Sequence, residues 1–128
     1  MSSDYPCPCC GHRVFDEAPG SYEICPICFW EDDLIQLRWP TFAGGANSVS
    51  LVDAQRNYED IGACEERLRS FIRLPATDEP LDDAWRRIDL TRDNFENWDN
   101  KRRAPWPADP TVLYWWLPTF WRHSDRAE

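Results

Sequence analysis

The chain has 128 residues, enough for one ordinary domain with a modest core, and its turn- and cysteine-rich first third needs a staple to hold it. Fourteen basic against 23 acidic side chains leave a net charge of −9. That disfavours a nucleic-acid binder, whose affinity comes largely from neutralising phosphates, and favours another protein with a basic surface as partner.

The opening carries no cationic segment followed by an apolar run, and no stretch approaches eighteen apolar residues. Neither export nor a membrane span is expected, and the cytoplasm is the expected compartment. There the six cysteines read as reduced thiolates holding a metal, not as three disulfides.

Cys7 and Cys10 open the chain as C-P-x-C-G, with Cys9 at the x. Cys25 and Cys28 repeat C-P-x-C, followed by Phe29, with fourteen residues between the two pairs. A two-residue spacer lets a tight turn aim both sulfurs at one point, proline presets φ, and glycine after the second cysteine permits positive φ. Two such turns are the signature of a zinc ribbon, with four thiolates closing a tetrahedron at metal–sulfur bonds of about 2.3 Å. Zinc is the expected ion and iron the minor alternative.

A hairpin of His12–Asp16 with Tyr22–Ile24, turning through 17–21, is expected between the pairs. Four protein donors leave no position for a substrate or a reactive water, so the ion is read as scaffold. A redox dithiol lacks the βαβ pattern that accompanies it. Cys9 reads as a bystander, with an alternate ligand or a reactive thiol as its sharper readings, and His12 competes as a ligand through a ring nitrogen.

Residues 1–33 form this ribbon unit. The run Glu31, Asp32, Asp33 suits a hard cation or a basic partner, and equally a solvated face or a helix start. Residues 40–48, with Gly44-Gly45, form a loop that lacks the G-K-[ST] of a phosphate cradle. Ser50 with Asp53 then caps a helix through Leu51, Ala54, Tyr58 and Ile61 that Gly62 ends or kinks. A further helix from Cys64 to Ile72, with Leu68, Phe71 and Ile72 on its apolar face, stops at Pro75. Cys64 reads as a small core residue.

After an acidic connector at 76–83, Asp82 or Asp83 is placed to cap a short helix through Ala84, Trp85 and Ile88. Residues 34–90 make the helical part of the domain, and 91–128 a Trp- and Pro-rich extension. That tail either folds back to complete the core, the favoured reading because exposed it would aggregate, or serves as an arm. As an arm it offers Trp115 and Trp116 as partner anchors beside Glu31, Asp32 and Asp33. The whole is α+β: a small N-terminal ribbon hairpin packed on a short helical segment, with the Trp-rich tail.

The stretches YPCPCCGHRVF, YEICPICFWEDD and GGANSVSLVDAQRNYEDIGACEER closely resemble the bacterial cysteine-rich CPCC family over roughly residues 5–75. The resemblance implies a zinc-ribbon-like site in which Cys7, Cys10, Cys25 and Cys28 fill the ligand positions. It implies a small stand-alone bacterial protein, some relatives being encoded near toxin systems, and assigns no catalytic residue. The leading expectation is a non-enzymatic zinc-stapled module that binds a basic protein, an immunity protein for a basic toxin being one form. The alternatives are a nucleic-acid or transcription accessory, requiring Arg86, Arg87, Arg92 and Lys101–Arg103 on one face, and a hydrolase using Glu31, Asp32 and Asp33.

Overall fold

The computed structural model describes residues 4–99 and 101–122. Its regular elements are short: β1 (Tyr5–Pro6), β2 (Arg13–Phe15), α1 (Leu34–Arg38), α2 (Leu51–Ile61), and 3₁₀ turns over Glu66–Phe71 and Pro110–Leu113. β1 and β2 pair antiparallel, Tyr5 opposite Phe15 and Pro6 opposite Arg13, with an irregularity between.

The α+β class is as expected, but the hairpin lies elsewhere. β1 and β2 enclose the first cysteine turn, and Ile24 bridges Glu31 around the second. Tyr22 N–H donates to the Asp32 carbonyl at 3.1 Å and Asp32 N–H to the Glu23 carbonyl at 2.9 Å. The expected pairing of His12–Asp16 with Tyr22–Ile24 is therefore replaced by two separate loops, each closed on its own cysteines. Tyr22 has φ +62°, a left-handed conformation that a strand cannot contain. Residues 20 and 21 instead curl onto the Asp32 carboxylate, which accepts from Gly20 N–H, Ser21 N–H and the Ser21 hydroxyl.

α2 has the expected bounds and caps. Ser50 Oγ accepts from Asp53 N–H at 3.1 Å, and Gly62, at φ +76°, ends the helix by donating to the Tyr58 carbonyl. The second expected helix is only the 3₁₀ turn at Glu66–Phe71, with no buried residue. Its sequence alternates charges that pair locally, Arg67 with Glu65 and Arg69 with Glu66, and offers little to a core.

The helix expected through Ala84, Trp85 and Ile88 is absent as well. Residues 80–82 run beside the first cysteine turn, with Arg13 N–H bonded to the Pro80 carbonyl and Asp82 N–H to the Gly11 carbonyl. The Asp82 side chain serves Arg13 and the Trp116 indole instead of a helix end.

The tail folds back. Leu113, Tyr114, Trp115, Trp116 and Phe120 share one buried cluster with the cysteines, Phe15, Trp30, Leu37 and Leu51. Trp115 and Trp116 are 3% and 9% exposed, so the reading of them as partner anchors gives way to core. Their indole N–H groups donate to the Arg86 carbonyl and to Asp82 Oδ2, which explains how two such rings are buried without orphaned donors. Among the described residues no helix is long and apolar enough to cross a membrane.

Candidate metal centre

The two cysteine turns are built alike. In the first, Cys7 N–H donates to the His12 carbonyl and Gly11 N–H returns to the Cys7 carbonyl, at 2.8 and 2.7 Å. In the second, Cys25 N–H donates to the Trp30 carbonyl and Phe29 N–H to the Cys25 carbonyl, both at 2.9 Å. The residue after each second cysteine is left-handed, Gly11 at φ +81° and Phe29 at φ +71°. Ile27 and Cys28 N–H groups point at the Cys25 sulfur at 3.4 and 3.5 Å, the contacts that hold a turn open around a thiolate.

This local geometry brings four sulfurs together. Cys7 Sγ lies 3.7 Å from Cys28 Sγ, Cys10 Sγ lies 3.8 Å from Cys25 Sγ, and all four fall within 4.8 Å of one another. A regular tetrahedron with metal–sulfur bonds of about 2.3 Å has edges of about 3.8 Å, so the quartet is spaced for a tetrahedral ion. None of the six cysteines is in a disulfide, and all are buried.

Burial raises the Cys7 and Cys28 thiols well above their ordinary range. For Cys25 burial also acts upward, but hydrogen bonds from Cys10, Cys28 and Cys7 outweigh it and hold the group well below that range. Such a nest stabilises one thiolate readily and four only with a cation among them.

None of the remaining candidates joins the four mutually close sulfurs. Cys9 is buried with its sulfur beside that of Cys28, and burial raises its thiol. His12 turns away: its Nδ1 is 2.8 Å from the Glu79 carbonyl. Cys64 is buried outside any helix, and its N–H donates to the Cys28 carbonyl at 2.8 Å.

The acidic run does not converge. Asp32 faces Gly20 and Ser21. Asp33 caps α1 through Ile35 and Gln36 N–H and receives Ala46 N–H from the glycine loop. A Cβ on Gly45 would collide with Asp33 Oδ2, so that glycine serves close approach to the second turn. The basic residues are engaged within the chain: Arg86 pairs with Asp93, Arg87 with Glu59, and Arg103 lies over Trp39 and Trp98.

Three buried amides that the sequence reading passed over hold the two turns in place. Asn47 exchanges bonds with the Glu31 backbone, its Oδ1 accepting from Glu31 N–H at 2.9 Å and its Nδ2 donating to the Glu31 carbonyl at 2.8 Å. Gln36 Nε2 donates to the Phe42, Asn47 and Val49 carbonyls. Gln55 links α2 to the first turn through the Pro8 carbonyl, at 3.0 Å, and accepts from Ile88 N–H. Gln55 lies four residues after Leu51 on the buried stripe of α2, and an amide at such a position is the signal that marks it.

The turns, the glycine loop and the capped helix are thus one interlocked unit around the sulfurs. The family described as Cysteine-rich CPCC matches residues 5–79, which contain every part of it. No match is found among curated proteins. The match covers more than half of the chain, and the chain belongs to the cysteine-rich CPCC family.

Proposed function

We propose that this chain is a non-enzymatic zinc protein that acts in the cytoplasm by binding another protein through a basic surface of that partner. The observation that carries the metal half is the tetrahedral spacing of four buried cysteine sulfurs. Cys7, Cys10, Cys25 and Cys28 would hold the ion, and four thiolates would leave it no site for substrate. Zinc suits a thiolate quartet with no redox task, and iron is the alternative that the donor set also accepts.

The partner half rests on charge. At −9 the chain would be steered toward a cationic surface, and an immunity or inhibitor protein for a basic toxin is one concrete form. The hydrolase alternative loses support because Asp32 and Asp33 are held by separate backbone donors. The nucleic-acid alternative loses support because Arg86 and Arg87 are neutralised by carboxylates.

Elemental analysis of natively purified protein, with a visible spectrum for iron, tests the first half. Stoichiometric zinc and no colour are expected; protein that folds without metal overturns it. Affinity capture from the native host, read by intact mass of the complex, tests the second: one basic protein at fixed stoichiometry is expected, and a partner-free monomer in repeated trials overturns it.

A further inference from the structure

The two cysteine turns match in backbone and differ in cover. Over the first, Trp85 and Leu81 press on Gly11 so closely that a Cβ there would sit 2.5 Å from Trp85 Cδ2. At the equivalent place in the second turn stands Phe29, also left-handed. A side chain in that conformation is unfavourable, and nothing in the turn's hydrogen bonding calls for a ring.

The ring stacks on Phe71 with centroids 5.4 Å apart, and Phe71 is itself 62% exposed. Three residues on, Leu74 is 86% exposed. The 3₁₀ turn that ends at Phe71 has no fully buried residue. On one side of this segment Ile24, Phe29 and Leu68 line a shallow groove. On the other, Ile27, Ile61, Ile72 and Leu74 line a wider one of about 420 Å³. Ile27 is the x of the second C-P-x-C, so the wider groove is floored by the metal turn itself.

The rim is acidic. Residues 58–79 carry six carboxylates and three arginines. Each of those arginines is paired, Arg67 with Glu65, Arg69 with Glu66 and Arg73 with Glu79. Asp60 and, beside the shallow groove, Glu31 make no ion pair among the described residues.

We infer that this face docks a peptide segment of another protein that carries large apolar side chains flanked by lysine or arginine. The inference rests on the protein-binding reading above and assigns it a surface. The grooves accept apolar anchors, and the unpaired Glu31 with the net negative charge of residues 58–79 selects cationic flanks. A second copy of this chain fits less well, because it brings the same acidic segment and the same net charge of −9.

The test uses the full metal-loaded chain and two synthetic amphipathic peptides, one of leucine and lysine, the other of leucine and glutamate. Saturable binding of the lysine peptide is expected, with amide shifts confined to residues 24–31 and 58–79 and with little binding of the glutamate peptide. Phe71→Ser and Leu74→Ser, both at exposed positions, should weaken binding about tenfold or more while metal content and melting temperature stay unchanged.

Shifts elsewhere on the chain, or binding indifferent to both substitutions, overturn this surface and leave the protein-binding reading standing. Equal binding of the glutamate peptide overturns the cationic partner. A dimer that occupies the face, abolished by Phe71→Ser, overturns the heterologous occupant. No saturable binding of either peptide overturns the surface and counts against the reading as well.

Discussion

Cys9 and Cys10 are adjacent and equally buried, yet only Cys10 belongs to the quartet. The turn decides this: residues at the two ends of a C-P-x-C loop aim inward together, while the x side chain leaves the loop. Cys25→Ser should therefore abolish stoichiometric metal and with it the fold, because the free energy of metal binding, about 10 kcal/mol or more in comparable sites, is folding free energy. Cys9→Ala should keep full metal content with a modest cost from lost packing. Elemental analysis after gel filtration, with circular dichroism melts, separates the two. Metal retention should also fall as pH falls, since each thiol must lose its proton to ligate and burial raises Cys7 and Cys28. Titration with a competing chelator at several pH values measures this; an affinity flat with pH would contradict thiolate ligation. At this scale the ligands were legible because spacing alone aims them. Asn47, Gln36 and Gln55 were not, since an amide's value here depends on which backbone groups the fold leaves unpaired.

At the scale of elements, the family motifs explain one another. The GGAN loop exists to reach the second cysteine turn: Gly45 permits the approach, Ala46 N–H meets Asp33, and Asn47 acts as a short surrogate strand for Glu31. Asn47→Ala would leave both backbone groups of Glu31 without a partner in a partly buried place. It should cost about 3 kcal/mol in denaturant unfolding, whereas Ser48→Ala beside it, on an exposed hydroxyl, should cost under about 0.5 kcal/mol. If the two substitutions cost the same, the loop is not a strut. α2 was readable from Ser50 to Gly62 because capping is local chemistry written in adjacent residues. The hairpin was misplaced because strand propensity in Tyr22–Ile24 yields to a tertiary demand: Asp32 needs the amides of residues 20 and 21, and satisfying it turns Tyr22 left-handed.

For the whole molecule, the question is what fastens an irregular tail to a small metal domain. Besides the buried tryptophans, a buried ion pair does so. Arg38, the last residue of α1, donates Nε and Nη2 to Glu96 Oε1 at 2.9 and 2.6 Å and Nη2 to the Ala104 carbonyl at 2.7 Å. Trp39, Trp106 and Trp121 surround its guanidinium with ring centroids 4.4–4.8 Å away. No sequence pattern joins Arg38 to a glutamate 58 positions later, which is why this clasp was invisible before the fold was known. Both side chains are almost wholly buried, at 1% and 2% exposure.

Removing one partner is therefore worse than removing both. Arg38→Met alone should destabilise by about 3–5 kcal/mol, and Arg38→Met with Glu96→Leu should recover most of that loss. Acid provides an independent check. Burial raises the Glu96 carboxyl, but the Ala104 N–H and the Arg38 guanidinium outweigh it and hold the group below its ordinary 4.5. A depressed folded value means the unfolded chain takes up the proton first, so the clasp's contribution is complete above that ordinary value and fades as pH falls through the folded one. The difference between melts of the two chains should therefore change across the acid range: the native protein loses stability relative to the double variant as Glu96 protonates. A gap that stayed constant with pH would show that packing of the tryptophans, and not the buried pair, holds the tail.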